Sequence, residues 1–330
     1  MKKITVAVTG GAGFIGSHLV ERLLNENYKV KLIDNFYNGK KTNLTNFINN
    51  KNLKIYKIDI LEKKKLDKIF NNCKFVFHLA ALADIVPSIE KPQAYYDTNV
   101  TGTFNVLEAA KKNNVEKIIY SASASCYGIE NKTPFKENSI KSTEYPYALT
   151  KYLGEQLVSH WGKIYKINYA SLRLFNVYGP RARTSGAYGA VFGVFLKQKI
   201  ANKPFTVVGN GRQKRDFIYV TDVVDAFYKA ALSKNNNIKI NIGAGKAYSI
   251  NYLTSLLKGK KIFLPKRPGE PASTLADIKL AKKLIKWKPT TSFERGVEIM
   301  LKNINNWANA PLWNKKNISN ATKTWFKYLS

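Results

Sequence analysis

Cysteine is scarce in this 330-residue chain, which contains only Cys73 and Cys126. Two cysteines so far apart match no metal-binding or redox spacing, so we expect free thiols in a reducing compartment. The three histidines are equally dispersed and suggest no metal site. The longest late apolar run, residues 190–196, is much shorter than the roughly 20 residues of a membrane-spanning helix. We therefore expect a cytoplasmic protein with no metal and no membrane insertion.

Acidic residues are also few, with 22 Asp and Glu against 54 Lys and Arg, and the formal net charge is +32. Such an excess raises affinity for polyanions. The lysines are nevertheless scattered through every segment, so we do not predict nucleic-acid binding. Arginine is rare among the basic residues, and its planar group binds phosphate bidentately. The arginines that stand out for this reason are Arg173, Arg181, Arg183, Arg212, Arg215 and Arg267.

Short β-branched runs alternate with longer amphipathic segments over the first 130 residues. This rhythm is typical of a parallel sheet with helices on both faces. Strands are predicted at 4–8, 30–33, 53–58, 75–79, 117–120, 168–174 and 238–242, the last as an outer strand of the same sheet. The clearest helices are predicted at 99–112 and 147–166.

The composition changes near residue 179, where Gly, Pro and Arg increase and the alternation weakens. We predict a dinucleotide-binding domain over residues 1–178 with a returning segment at about 216–248. Residues 179–215 and 249–330 are predicted to form a substrate-binding lobe. The expected fold class is α/β, a Rossmann-type doubly wound parallel sheet with a smaller C-terminal α/β lobe.

A glycine-rich turn, GGAGFIG at residues 10–16, follows the first predicted strand and opens a helix. Its glycines let the backbone approach a pyrophosphate at a helix N-terminus. Asp34 ends the second strand eighteen residues after Gly16, where a carboxylate can hold both hydroxyls of an adenine ribose. Asp34 would repel a 2′-phosphate, so NAD is favoured over NADP. The predicted cofactor residues of this region are Gly10, Gly13, Phe14, Ile15, Gly16, Asp34 and Asn35.

Tyr147 and Lys151 lie one helical turn apart, so both side chains project from one helix face. A neighbouring ammonium and the positive nicotinamide should lower the phenol pKa from its ordinary value near 10. Such a pair can move a proton to and from a bound substrate. Alone, this spacing is common on ordinary helices, so its context matters.

That context includes G-x-x-G-x-x-G spacing at 10–16, SASASCYG at 121–128 and YALTK at 147–151. Over nearly its whole length the chain resembles the NAD-dependent epimerase/dehydratase family, the extended short-chain dehydrogenases. The resemblance implies that Tyr147 removes a proton from a sugar hydroxyl, while Lys151 tunes the phenol and binds the nicotinamide ribose. It also implies that Asp59 and Ile60 reach the adenine, and that Ser123 shares a hydrogen bond with the substrate oxygen. Further cofactor contacts implied by the resemblance are Leu79, Ala80, Ala81 and Asn99.

The resemblance continues in RLFNVYGPR at 173–181, GNGRQKRDF at 209–217 and RPGE at 267–270, which are similar to segments that hold a nucleotide sugar. It implies that Asn176, Arg215, Arg267 and Glu270 bind the substrate. Two arginines on one diphosphate make physical sense because each neutralises and orients it. Alternatively, Arg215 and Arg267 form surface ion pairs with Asp216 and Glu270.

The residues after Ser123 are Ala124 and Ser125, whereas the family's dehydratases resemble Thr-Asp-Glu there and its decarboxylases carry a glutamate. Without a carboxylate, elimination and decarboxylation lose their usual helper. The resemblance is thus closest to UDP-hexose 4-epimerases, which invert C4 through a 4-keto sugar. The family's substrate discriminator falls on Thr274, whose intermediate size suits glucose, galactose and N-acetyl forms.

Several alternatives stay open at this point. The same family includes UDP-glucuronate 4-epimerases, decarboxylases and nucleotide-sugar 4,6-dehydratases, and a non-enzymatic cofactor-binding regulator is also conceivable. The family resemblance further implies a homodimer formed through helices 99–112 and 147–166. Trp307, Trp313 and Trp325 either cover the substrate lobe, join an interface or pack a terminal helix at 318–329, and the pattern favours the last.

Overall fold

A parallel sheet flanked by helices organises the chain in a computed structural model that describes residues 3–129, 132–183 and 191–329. Its strands are β1 (Thr5–Thr9), β2 (Lys29–Asp34), β3 (Leu53–Lys57), β4 (Phe75–His78), β5 (Lys117–Ser123), β6 (Asn168–Leu174), β7 (Asn176–Tyr178), β8 (Phe205–Val208), β9 (Lys214–Arg215), β10 (Phe217–Tyr219), β11 (Ile238–Ile242), β12 (Tyr248–Ser249) and β13 (Lys261–Leu264). Its α-helices are α1 (Phe14–Asn25), α2 (Lys63–Ile69), α3 (Ile85–Glu90), α4 (Pro92–Tyr96), α5 (Gly102–Lys112), α6 (Pro146–Tyr165), α7 (Val191–Ile200), α8 (Val220–Leu232), α9 (Ile250–Leu257), α10 (Lys279–Ile285), α11 (Phe293–Lys302), α12 (Lys315–Ala321) and α13 (Lys323–Tyr328).

The central sheet has seven strands in the order β11-β6-β5-β4-β1-β2-β3, and all its pairings are parallel. The strand order reverses between β1 and β4, which creates a crevice at their carboxyl ends. Gly10 N–H donates to the Ile33 carbonyl (2.8 Å) and Leu79 N–H donates to the Thr9 carbonyl (3.1 Å) at this edge. The predicted fold class is confirmed, and the crevice positions the candidate site.

Each face of the sheet is covered by its own apolar cluster. Val6 and Val8 of β1 pack into one cluster with α1 and α8, whereas Ala7 packs into the other with α2, α5 and α6. Neighbouring residues of a strand point to opposite faces, which explains this alternation. A third cluster joins α7, β8, α9 and α11 outside the sheet. Strand β11 pairs with β6, and the proposed division into two domains stays a prediction.

The C-terminal segment differs from the single helix predicted over 318–329. It forms α12 and α13, which are separated at Thr322 (φ −107°, ψ 4°). The Thr322 hydroxyl (2.8 Å) and the Thr322 N–H (3.0 Å) both donate to the Ile318 carbonyl, so backbone hydrogen bonding continues across this point. Helix α5 also begins later than predicted, at Gly102, because a π-helical turn occupies Asp97–Thr101. No helix within the described ranges is long and apolar enough to cross a membrane.

Candidate active site

A cavity of about 1350 Å³ runs along the carboxyl edge of the sheet. It is lined at one side by the glycine turn and Asp34, which we call the glycine end, and at the other by Arg215 and Arg267, the arginine end. Every predicted site residue except Asn99 lines it: Gly10, Gly13, Phe14, Ile15, Gly16, Asp34, Asn35, Asp59, Ile60, Leu79, Ala80, Ala81, Ser123, Tyr147, Lys151, Asn176, Arg215, Arg267, Glu270 and Thr274. The fold thus brings segments from most of the chain to one cavity.

The glycine end fits a dinucleotide. Gly10 has a φ of +70°, and a Cβ there would lie 2.7 Å from the Ala80 backbone nitrogen, so only glycine suits the turn. Helix α1 begins at Phe14 with no side chain capping it and no acidic residue in its first turn. Its first N–H groups and the helix dipole therefore favour a bound pyrophosphate.

Asp34 is 8% exposed and is held in place by the backbone. One carboxylate oxygen accepts from Ala12 N–H (2.9 Å) and the other from Phe36 N–H (2.8 Å). Burial raises the Asp34 pKa, and these two hydrogen bonds partly oppose that effect. Asn35 reaches the neighbouring segment by donating to the Asp59 carboxylate (2.7 Å). The acidic group expected at the adenine ribose therefore has a fixed orientation.

Asn99 is the predicted cofactor residue that the structure places elsewhere. Its side-chain oxygen accepts from Leu82 N–H (2.9 Å), while its amide nitrogen donates to the Leu82 carbonyl and the Thr150 hydroxyl (3.0 Å each). A buried amide must find such partners, and these satisfy it within the protein. Asn99 therefore ties the loop after β4 to α6 behind the cavity wall.

The catalytic candidates meet where β5 and α6 adjoin. Ser123 ends β5, and Pro146 starts α6 one residue before Tyr147. The Tyr147 hydroxyl donates to Ser123 Oγ (3.2 Å), which also lies 2.8 Å from Ser125 Oγ. The Lys151 Nζ lies 4.4 Å from the ring centroid of Tyr120. The predicted serine, tyrosine and lysine thus share one wall of the cavity, with two hydroxyls already in contact.

Burial governs the protonation of this group. It lowers the pKa of Lys151 to about 7, an effect that Glu155 only partly offsets. The pKa of Tyr147 is raised by burial, and the hydrogen bond with Ser123 only partly opposes this. Within the protein alone, desolvation therefore disfavours the phenolate, and the predicted lowering of the phenol pKa concerns the site with the positive nicotinamide bound. Lys151 can nevertheless gain or lose a proton near neutral pH.

Arg173 was a candidate phosphate ligand, but the structure assigns it to a buried ion pair. Its guanidinium donates to both Glu155 oxygens (2.8 and 2.6 Å), to the Tyr127 hydroxyl and to the Glu137 carbonyl. Arg173 is 2% exposed, so its fork orients Glu155 behind α6 instead of facing the cavity. The expectation of a phosphate contact at Arg173 is wrong because its donors are already used.

At the arginine end, Glu270 lies beside both arginines. Arg267 Nη1 donates to Glu270 (3.0 Å), and Arg215 Nη2 lies 3.6 Å from the other Glu270 oxygen. Arg215 also donates to the Pro271 carbonyl (2.9 Å). Asp216 does not form the alternative ion pair, since its carboxylate accepts from backbone N–H groups at Ala244, Gly245 and Ala276. The two guanidinium groups thus converge on one lined region with a shared counter-ion.

Asn176 and Thr274 connect strands β7 and β10 to this end. The Thr274 hydroxyl donates to the Asn176 side-chain oxygen (3.1 Å) and also accepts from Asp216 N–H (3.3 Å). Asn176 begins β7, which pairs with β10 directly after Asp216. The predicted discriminator is therefore bonded to a predicted substrate residue.

Other cavity-lining residues were not predicted. Tyr145 has its ring nearly parallel to that of Tyr147, with 6.3 Å between centroids. Trp325 lines the cavity beside Arg267, and Arg183 pairs with Asp84 (2.6 Å). The cluster of tryptophans in the C-terminal tail could have pointed to Trp325 in the sequence, whereas no sequence pattern pointed to Tyr145 or Asp84. Arg181 pairs with Glu21, and Arg212 is exposed outside the cavity lining.

Comparison with known proteins bears on this arrangement. The profile of the NAD dependent epimerase/dehydratase family matches residues 6–243, well over half of the chain. The chain belongs to this family. The match covers the glycine turn, Ser123, Tyr147 and Lys151. This epimerase/dehydratase family member therefore uses NAD, as predicted from Asp34, and the residues of the glycine end fit that cofactor.

Three solved structures resemble this family member along most of its length. A UDP-N-acetylglucosamine 4-epimerase from Methanobrevibacter ruminantium is 36% identical, with a TM-score of 0.86, and the match covers 92% of this chain and 100% of that one. A UDP-glucose 4-epimerase from Thermotoga maritima is 33% identical (TM-score 0.85; 92% and 99% covered). A UDP-glucuronic acid 4-epimerase from Bacillus cereus, solved with UDP-glucuronic acid and NAD, is 34% identical (TM-score 0.86; 92% and 99% covered).

Proposed function

We propose that this protein is an NAD-dependent UDP-hexose 4-epimerase, which interconverts UDP-glucose and UDP-galactose or their N-acetyl forms through a 4-keto sugar. The observation that carries the proposal is the Tyr147–Ser123 contact (3.2 Å) in one cavity with Lys151, Arg215 and Arg267. The relatives named above are 4-epimerases of three different UDP-sugars, which supports the reaction more strongly than the choice of sugar.

Proton transfer is the task of Tyr147. When bound, NAD supplies the chemistry that accepts the hydride from C4 of the sugar and returns it. The Tyr147 phenolate oxygen accepts the 4-hydroxyl proton, becomes the phenol and later returns the proton, and the Ser123 hydroxyl orients the same sugar oxygen. Lys151, with a pKa of about 7, lies one helical turn from Tyr147 and can hold or release a proton at neutral pH. Its ammonium form favours the phenolate that burial alone disfavours.

Diphosphate binding is assigned to Arg215 and Arg267. Glu270 holds the two guanidinium groups near each other, and a diphosphate offers stronger, bidentate acceptors for both. Binding energy from this remote part of the substrate can position the sugar at Tyr147. Because both faces of C4 must be presented in turn, the hexose itself needs room to rotate.

Inversion is favoured over elimination or decarboxylation by the chemistry beside Ser123. Ala124 is apolar, and the Ser125 hydroxyl is bonded to Ser123 Oγ (2.8 Å), so neither offers a carboxylate to remove a further proton. The alternatives are a UDP-glucuronate 4-epimerase or decarboxylase and a nucleotide-sugar 4,6-dehydratase. Each leaves a different product.

The test is to incubate the pure protein separately with UDP-glucose, UDP-N-acetylglucosamine and UDP-glucuronate and to resolve the products by NMR. We expect the C4-inverted hexose from at least one of the neutral sugars. A UDP-pentose or a 4-keto-6-deoxy sugar would replace the proposal with decarboxylation or dehydration. No C4-inverted product from any of the three would exclude epimerisation of these sugars.

We also propose a homodimer and two domains, as implied by the family resemblance. Helices α5 and α6 carry exposed apolar side chains, including Phe104 (36%), Leu149 (44%) and Ile164 (51%). Exposed apolar groups on adjacent helices are typical of an interface. Sedimentation equilibrium should give about twice the 37.3 kDa chain mass, and Leu149→Glu should reduce it to that of one chain.

A further inference from the structure

Trp325 of α13 is buried without being part of a hydrophobic core. It is 4% exposed, yet within the described part of the chain it belongs to none of the three apolar clusters. Its indole N–H donates to the Pro268 carbonyl (2.7 Å), and the Arg267 guanidinium carbon lies 5.3 Å from its ring centroid. Tyr145 is its aromatic neighbour, with 6.5 Å between centroids. The tail therefore packs this residue against the candidate site.

These contacts place Trp325 between the two chemical ends of the substrate. Its neighbour Tyr145 lies nearly parallel to Tyr147, and its other neighbour is Arg267. All four side chains line the same cavity. On the proposed function, on which this inference rests, the diphosphate binds at Arg267 and the 4-hydroxyl at Tyr147. The diphosphate is attached at C1, across the ring from C4, so the pyranose lies beside Trp325.

The tail is held in this position from both halves of the molecule. The Thr324 hydroxyl donates to Glu90 (3.0 Å) at the end of α3, on the sheet side of the cavity. On the other side, the Trp325 indole N–H itself donates to the Pro268 carbonyl (2.7 Å) in the loop after β13. A side chain held from both sides of the cavity is preorganised for a ligand.

We propose that Trp325 is a specificity-determining residue whose indole forms one wall of the sugar pocket. Because its N–H is used by the Pro268 carbonyl, the small part of the indole that lines the cavity offers the sugar only hydrocarbon surface. Such a surface packs against the apolar C–H groups of a pyranose but gives no hydrogen bond or charge to a carboxylate. The wall therefore favours neutral hexoses over uronic acids and acts on the sugar, not on the nucleotide.

Calorimetry on the NAD-loaded protein separates binding of the sugar from binding of the nucleotide. The ligands are UDP, UDP-glucose and UDP-glucuronate. Trp325→Ala should weaken UDP-glucose binding about tenfold and change the Kd of UDP by less than about twofold. The preference for UDP-glucose over UDP-glucuronate should fall by a similar factor. Trp325→Phe should keep most of the preference. The matched control is Tyr328→Ala, since Tyr328 lies on the same helix and is 61% exposed.

If Trp325→Ala weakens the binding of UDP and UDP-glucose equally, Trp325 merely supports Arg267. If the Kd values of both ligands are unchanged, Trp325 has no role in binding. Either result overturns the inference. An unchanged preference between the two sugars would overturn the specificity claim. Trp325→Phe supplies the comparison if the alanine variant does not fold. A wild-type protein that binds UDP-glucose but yields no C4-inverted product would refute the proposed function, while the binding ratios would still judge Trp325.

Discussion

The glycine end and the arginine end of the cavity are built in different ways. The glycine end, together with Ser123, Tyr147 and Lys151, is carried by the carboxyl ends of parallel strands and by the first turns of α1 and α6. The arginine end is assembled from β9, the loop after β13 and the C-terminal tail. The first is regular structure supported by the sheet, whereas the second consists mostly of loops tied by side-chain contacts.

We therefore link the glycine end and its neighbouring catalytic residues to the reaction itself, and the arginine end to the choice of substrate. Residues on strand ends and helix starts keep fixed positions, which proton and hydride transfer require. Residues on loops and tails can differ without disturbing the sheet, which is where substrate choice is usually set. We therefore expect substitutions at Tyr147 to act on kcat and those at the arginine end to act on KM.

The largest effect is expected for Tyr147→Phe. Removing the phenolic oxygen removes the proton acceptor but leaves the cavity wall, so kcat should fall on the order of 10³-fold with little change in KM. NAD content, measured by absorbance of the denatured protein, should equal that of the wild type. A variant that retains full turnover would remove Tyr147 from the mechanism.

Arg173→Met tests the support behind the catalytic helix. Glu155 is 1% exposed and would lose its bidentate partner, so the free energy of unfolding should fall by about 3–5 kcal/mol. Urea unfolding followed by circular dichroism measures this. The double variant Glu155→Met/Arg173→Met is the control and should recover much of the loss. A single-variant loss below about 1 kcal/mol would contradict the buried pair.

Arg215→Lys and Arg267→Lys test the arginine end. Lysine keeps the charge but not the bidentate fork, so KM for the UDP-sugar should rise about 10- to 100-fold while kcat changes less. Steady-state kinetics provides the measurement, and Arg295→Lys on exposed α11 is the matched control. If Arg215→Lys and Arg267→Lys lowered kcat and left KM unchanged, the proposed difference in role between the glycine end and the arginine end would be contradicted.

The smallest effect concerns the pH dependence of stability at Lys151. Its folded pKa of about 7 lies below the ordinary lysine value of 10.5, so between these pH values the unfolded chain binds more protons. Relative to Lys151→Met, the wild type should gain about 1.4 kcal/mol of stability per pH unit above pH 7. Chemical unfolding of both proteins at pH 7, 8 and 9 checks this. A difference that stays constant over that range would show that the Lys151 pKa is not lowered.

Local patterns predicted the elements that short-range physics controls. Strands 168–174 and 238–242 match β6 and β11 because short apolar segments of this length are buried in a parallel sheet. The helix predicted over 318–329 is divided into α12 and α13 because the backbone of Thr322 leaves the helical region, which apolar spacing does not reveal. The buried ion pair of Arg173 was not predicted, because its partner Glu155 lies on another element.

The sequence alone determined the family, the NAD preference and the composition of the Ser123, Tyr147 and Lys151 group, because these depend on residues at fixed spacing on regular elements. Only the tertiary structure decided that the Asn99 amide is satisfied by Leu82 and Thr150, that Glu270 links two arginines and that Trp325 reaches the site. Such contacts join segments far apart in the chain. They follow from packing and hydrogen-bond competition, which no short stretch of sequence contains.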